Sequence, residues 1–314
     1  MSRDFLGTWT GSYTSQVIWY FGSMISEVAQ YPVFYDVSGH EGFREVRQAT
    51  LESLIGRSIA RMSERELRAS LPRLQIELRR DTDLMLRVES SLVSILSRIP
   101  HTPYRALQFP VNVRMLRNGP KVEERSNRSE YSTELLHCDA WSGAPSDSFN
   151  HLLYVYTEPS CPYLEMYETL DSNDPLRQYV GDYSGVPESL SLRRKVDIPC
   201  VEGVLAIWPT YSPHRTVVPA WSPNLSTEDA PMRVSIDFRT RKSSPYEHDS
   251  NSSMATFANT KMNSLGVYWT YPTESGTFTD KIRRELEAAR RVGREAYEAR
   301  RHYIEKFFSE VPLD

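Results

Sequence analysis

The chain has 314 residues, 39% of them apolar and 25% charged, and a net charge of -4 with both signs interspersed. That length suits one large domain or two small ones with a sizeable core, and the lack of a broad basic field argues against nucleic acid or anionic lipid as a partner. The first residues lack a charged segment followed by an apolar stretch, and no apolar run approaches a membrane span. Cys138, Cys161 and Cys200 give an odd count at irregular spacing, which argues against a disulfide framework and for a reducing, cytoplasmic setting.

Residues 42 to 100 are poor in glycine and dense in Leu, Arg, Glu and Ser. Leu51, Leu54, Ile55 and Ile59, and later Leu84, Leu86, Leu92, Ile95 and Leu96, recur at helical spacing and predict two or three amphipathic helices. Ser63 with Glu66 has the pattern of a capping box, and Pro72 opens or ends a helix. These helices are expected to support a sheet as an N-terminal region, residues 1–103.

From Tyr104 the pattern changes to short β-rich runs: Ala106 to Leu116, Leu152 to Thr157, Tyr163 to Thr169, Lys195 to Ile198, Val204 to Trp208 and Met232 to Thr240. Turn-rich connectors such as Asn118-Gly119-Pro120 and the stretch from Asp171 to Pro175 separate them, so a β-sandwich or jelly roll is expected over residues 104–242. Residues 243–314 complete a single integrated domain. Ser243 to Gly276 reads as a loop, a lid or an interaction segment, and Asp280 to Phe308 as one long charged helix. Its stripe of Ile282, Leu286, Ala289, Val292, Ala296, Tyr297, Tyr303 and Phe307 is a docking face, either on the same chain or on a second copy in a homodimer.

Chemistry enters at His137-Cys138-Asp139. On an extended strand residues i and i+2 share a face, so His137 and Asp139 would point together while Cys138 points away. His214 follows the apolar run Val204 to Trp208 and Pro209, and so sits at a strand end. Two imidazoles and one carboxylate make a facial triad, which suits iron(II) and leaves the opposite coordination positions open. Further on, residues 233 to 239 alternate without a break: Arg233, Ser235, Asp237 and Arg239 share one face, and Val234, Ile236 and Phe238 the other. If the polar face lines a barrel interior, the apolar face needs cover from outside, which the N-terminal helices can give. Asn112 and Arg114 share a face of the strand before the triad and are candidate co-substrate contacts. Trp141, Asn150, Tyr211 and Arg239 are candidates for the substrate pocket. His40, His101, His151, His248 and His302 have no companion at ligand spacing and are expected to be ordinary polar residues.

An H-x-D, a distal His and an Arg-x-Ser in this order resemble the non-haem iron(II) and 2-oxoglutarate-dependent dioxygenases over residues 105 to 241. Within them, the look is that of phytanoyl-CoA-hydroxylase-like and antibiotic-biosynthesis oxygenases. The resemblance implies a mainly β, cupin-like double-stranded β-helix (jelly roll) with flanking helices. It further implies Fe(II) on His137, Asp139 and His214, the far carboxylate of 2-oxoglutarate on Arg233 and Ser235, and O2 as the second co-substrate. It points to oxidation of an unactivated C–H of a small polar metabolite, by hydroxylation, cyclisation or desaturation. The interval from His214 to Arg233, longer than is usual in the family, reads as a hairpin loop over Pro219 to Pro231, with Arg239 and Arg215 as the other arginines open to the carboxylate role. Because Asp139 is retained, halogenation is not expected. The competing readings are a cupin-like metalloenzyme that does not use 2-oxoglutarate and a non-catalytic jelly-roll binding protein.

Overall fold

The computed structural model describes residues 32–56, 81–99, 106–109, 111–118, 133–142, 144, 148–171, 173–178, 194–219, 230–241 and 268–270, with individual residues between 286 and 301. In chain order the elements are β1 (Val33–Asp36), α1 (Glu41–Gly56), α2 (Thr82–Arg98), β2 (Ala106–Phe109), β3 (Asn112–Arg117), β4 (Ser148–Thr157), β5 (Tyr163–Tyr167), β6 (Lys195–Val196), β7 (Val204–Pro209), β8 (His214–Val217), β9 (Met232–Arg241) and β10 (Tyr268–Thr270). Two antiparallel sheets result. The larger runs β1-β7-β4-β9-β2-β10, and β3 also pairs with β9; the smaller runs β6-β5-β8.

The pleat of the central strands sorts the side chains into two layers. Leu152 and Tyr154 of β4, with Val204, Ala206 and Trp208 of β7, face the smaller sheet and pack on Leu164, Met166 and Ile198. The other face presents Leu153, Val155, Leu205, Ile207, Val234, Ile236 and Phe238 to the helices, where they meet Phe43, Val46, Leu84, Val88, Leu92 and Ile95. The apolar face of β9 is therefore covered from outside, as its alternation requires. Helix α2 forms because its apolar residues repeat at helical spacing and because the Asp81 carboxylate caps it, accepting from Leu84 N at 3.0 Å.

Some expectations need correcting. The run from Ala106 to Leu116 is two strands, one ending at Phe109 and the next beginning at Asn112. β1, ahead of the helices, was not expected, and neither was β10, which falls within the presumed loop from Ser243 to Gly276. Both are edge strands whose main chain extends an existing ladder, so their pairing is set by the partner strand more than by their own pattern. Ser63, Pro72 and most of the helix expected over Asp280 to Phe308 lie outside the described residues. Within the latter, Leu286 is buried in the main core and Tyr297 packs against it, which places those two residues of the stripe on this chain's own core. Among the described residues no helix is long and apolar enough to cross a membrane.

One glycine is required. Gly203 has φ 81°, gives its N–H to Tyr154 O and accepts from Val37 N, and a Cβ there would lie 2.5 Å from Ser38 Cβ. Gly203→Ala is therefore expected to destabilise the fold by about 2 kcal/mol or more, from positive-φ strain plus overpacking; a urea midpoint equal to wild type would contradict this. His151 gives a second expectation. It is buried against Phe238 at 4.6 Å between ring centroids, and burial pushes its pKa down to about 3, only weakly opposed by its bond to Phe149 O. The unfolded ring takes up a proton near pH 6.5 and the folded ring only near 3. Between those values the unfolded state holds more protons, so stability falls on acidification, by about 1.4 kcal/mol per pH unit for this group. In His151→Phe the slope of unfolding free energy between pH 6 and 4 should be shallower by that amount; identical slopes would refute a neutral His151.

Candidate metal centre

The site is assembled on the edge of the smaller sheet. His137 and His214 exchange both main-chain bonds, His137 N to His214 O at 3.0 Å and His214 N to His137 O at 2.8 Å, so the segment before Asp139 lies as an extra antiparallel rung on β8. The two rings consequently stand side by side, 4.3 Å between centroids. Asp139 arrives differently from the sequence expectation. The tripeptide is not a continuous strand: Asp139 opens a short 3-10 turn, Asp139–Ser142. Trp141 N returns to Cys138 O, Ala144 N to Asp139 O and Ala140 N to Thr210 O, and Trp141 is fully buried with its Nε1 on Leu176 O at 2.6 Å. Burial of the indole turns the chain inward. Cys138 does point away, packing with Trp141 and Leu170 and directing its thiol to Tyr211 O.

One ligand-type atom from each of His137, Asp139 and His214 lies within 4.8 Å of the others, and all three residues are buried. Each ring is fixed by the carbonyl two residues back: His137 Nδ1 is 2.7 Å from Leu135 O, and His214 Nδ1 is 2.9 Å from Ser212 O. A carbonyl only accepts, so each Nδ1 carries the proton and each Nε2 keeps its lone pair. Those Nε2 atoms lie 3.9 and 3.8 Å from the Asp139 carboxylate oxygens. Burial lowers the pKa of both histidines, that of His137 to about 3 with a further push from His214, against the pull of Asp139. Asp139 goes the other way: burial alone would raise its pKa, but the Arg239 guanidinium and the two imidazoles hold it below the usual carboxylate range. At neutral pH the site offers two neutral nitrogens and one anionic oxygen. That donor set fits a divalent first-row metal such as iron(II).

The remaining arginines sort themselves by partner. Arg239 spans Asp139, Nη2 to Oδ2 at 3.1 Å, and Asn150, Nε to Oδ1 at 2.8 Å. Arg114 is ion-paired with Asp237, whose other oxygen accepts from Ser235 Oγ at 3.1 Å. Arg215 lies against Glu165 at 2.7 Å, 43% exposed in its side chain. Arg233 is 1% exposed and different in kind: Nη1 donates to Pro162 O at 3.2 Å, the guanidinium carbon stands 5.6 Å from the Tyr154 ring centroid, and Nε has no hydrogen-bond partner. Among the described residues no carboxylate reaches it.

Of the other residues singled out in the sequence, Asn150 is buried beside Arg239 with its Nδ2 unsatisfied, and Asn112 sits opposite Asp237 in the ladder. Tyr211 carries the Arg177 guanidinium over its ring at 4.6 Å, and Trp141 belongs to the small core behind the triad. Sequence reasoning did not find the carbonyls of Leu135 and Ser212 or the Arg239–Asp139 pair. The signal for the first was present, since each carbonyl stands two residues before its histidine; for the second there was none, because it joins residues 100 positions apart.

No protein-family model and no curated protein matches the chain. Among solved structures it is similar to the epimerase SnoN in complex with Fe3+, alpha ketoglutarate and nogalamycin RO, at 13% identity over 68% of this chain and 80% of that one, with a TM-score of 0.36. It is also similar to SnoK, a non-heme alpha ketoglutarate dependent carbocyclase from nogalamycin biosynthesis, at 15% identity over 72% and 88% of the two chains, with a TM-score of 0.35. A Pseudomonas putida prolyl-4-hydroxylase is similar at 13% identity over 70% and 93%, with a TM-score of 0.30.

Anaerobic titration with manganese(II) or iron(II) should show one tight site per chain. Asp139→Ala and His214→Ala, each removing a donor, should weaken it at least 100-fold or so, beyond the roughly 10- to 100-fold typical of losing an outer-shell partner. Retention of wild-type affinity in both variants would mean the metal binds elsewhere.

Proposed function

We propose that this chain is an iron(II)- and 2-oxoglutarate-dependent oxygenase whose two sheets are the halves of a double-stranded β-helix. The observation that carries the reading is the combination of a buried triad of two neutral imidazoles and a carboxylate with a buried guanidinium, on the same sandwich, that has no carboxylate partner among the described residues. A buried cation without a counter-ion is costly, and it becomes stable when an anion arrives with geometry matched to its fork. Arg239, at the triad, and Arg233 lie on the same face of β9 with Ser235 and Asp237 between them.

In this reading His137, Asp139 and His214 hold iron(II) through their Nε2 and carboxylate oxygens, and Arg233 holds the far carboxylate of 2-oxoglutarate, with Ser235 beside it. Iron with the bound keto acid supplies the activation of O2 that oxidises a C–H bond, yielding succinate and carbon dioxide. The chain's own residues do the positioning. Leu135 O and Ser212 O keep the imidazoles in one tautomer, and Arg239 engages Oδ2 of Asp139 and so orients the carboxylate toward the two Nε2 atoms. Asn150, Arg239, Arg114 and Asp237 give the neighbourhood a polar, charge-paired lining, which supports a small polar substrate of the kind found in specialised metabolism.

Under anaerobic conditions, iron(II) and 2-oxoglutarate added together should give a weak visible charge-transfer band in wild type. Arg233→Met should raise the 2-oxoglutarate concentration needed for half the band roughly 10- to 100-fold, the worth of a charge-assisted bond, while Arg215→Met, whose guanidinium already serves Glu165, should leave it unchanged. Iron binding without any band at saturating 2-oxoglutarate would instead favour a cupin-like metalloenzyme that does not use the keto acid.

A further inference from the structure

The two cysteines outside the triad segment are far apart in sequence and adjacent in space. Cys161 Sγ and Cys200 Sγ are 3.7 Å apart, both thiols free. Each stands at a fixed point of the backbone. Cys161 ends a tight turn closed by its own N–H to Glu158 O and held by Asn118 Nδ2 on Ser160 O at 2.5 Å, with Ser160 in the left-handed region at φ 64°. Cys200 leads directly into the turn whose end is the conformationally required Gly203, with Val204 N on Val201 O. Neither sulfur is placed by a long flexible loop of its own.

We infer that Cys161 and Cys200 are a redox-active dithiol, a modification site at which hydrogen peroxide oxidises one sulfur and the other resolves it to a disulfide. Three features support this. The sulfurs are within about 2 Å of bonding distance, so closure needs side-chain rotation more than backbone movement. The Arg233 guanidinium lies close enough to favour negative charge on both sulfurs, and the Pro162 carbonyl between them accepts from Arg233 and lies 4.0 Å from Cys200 Sγ. The two thiols share one hydrogen bond in which either sulfur can donate, so loss of one proton from the pair is favoured, while burial and the first charge oppose loss of the second. A thiolate at neutral pH is what attacks a peroxide. Cys161 is buried and Cys200 half-buried, which selects a small oxidant over a bulky disulfide.

The step balances. One thiolate of the pair attacks a peroxide oxygen, the O–O bond breaks, and hydroxide leaves and takes up a proton, so that sulfur is oxidised to a sulfenic acid as peroxide is reduced. The second sulfur then attacks the first, the S–O bond breaks, and the hydroxide leaves as water with the proton from the second thiol. Two thiols and one peroxide give one disulfide and two waters.

This inference shares Arg233 with the oxygenase reading but is tested apart from it, because its readout is thiol chemistry in the metal-free full-length protein. Treatment with one equivalent of hydrogen peroxide at pH 7.5, followed by thiol counting and peptide mass mapping, should remove two of the three thiols and yield a crosslinked Cys161–Cys200 peptide, leaving Cys138 reduced. Cys200→Ser and Cys161→Ser should each accumulate a dimedone-trapped sulfenic acid on the remaining member of the pair and form no crosslinked peptide. Oxidation of Cys138 before the pair, or three intact thiols after treatment, would overturn it.

Discussion

The reciprocal hydrogen bonds between the main chains of His137 and His214 are the constraint on which the site depends. They fix the rung at which the two rings meet, so the imidazoles are brought together by sheet registry rather than by a loop. A one-residue slip would place Cys138 or Leu136 opposite His214 and turn the histidine to the other face. The carbonyls of Leu135 and Ser212 then complete the work of the backbone, since the same extended geometry that pairs the strands also puts each histidine's Nδ1 within reach of the carbonyl two residues earlier. Asp139 can leave the strand for a turn without loss because its position is set by the buried Trp141 and by Thr210 O, not by the ladder.

The inner layer of the sandwich carries more charge than an interior normally tolerates, and how that charge is matched explains most of what the site can do. Arg239 is neutralised by Asp139 and Arg114 by Asp237, each pair on or against β9. Both pairs are partly exposed, so each adds little to stability, and removing one member leaves a charge that water can still partly solvate. Arg233 is the exception, held by one carbonyl and an aromatic ring. Those contacts orient the guanidinium without discharging it. Among the described residues no carboxylate reaches it, and its Nε has no hydrogen-bond partner.

Histidines show how much of this could be read from sequence and where reading stops. His151 uses the same local device as His137 and His214, its Nδ1 on the carbonyl two residues back, and is just as buried. What separates it is the face of its strand: it turns to the helix side and stacks on Phe238, where its Nε2 meets no acceptor or donor, while the other two turn to a carboxylate. Period-two alternation predicted that face for β9, whose pattern is strict, but β4 is buried on both sides and its pattern is nearly continuous. The triad was legible because three residue types in order imply one another chemically. The two edge strands were not, since β1 and β10 are defined by the partners they extend, and neither was the departure of Asp139 from the strand, which rests on how deeply Trp141 is buried.

Strand β9 joins these levels. Its apolar residues form the floor on which the helices pack, and Val234, Ile236 and Phe238 are buried there. Its polar residues form a row that runs from the carboxylate-bound Arg239 through Asp237 and Ser235 to Arg233, which no carboxylate reaches among the described residues. A polar row facing inward is unfavourable unless the other face is fully covered, because otherwise the strand would gain by turning over and exposing its charges to water. The helices ahead of the sandwich are thus part of the site's chemistry at one remove: by burying one face of β9 they oblige the other to hold its arginines inside, where low dielectric makes each unpaired charge count.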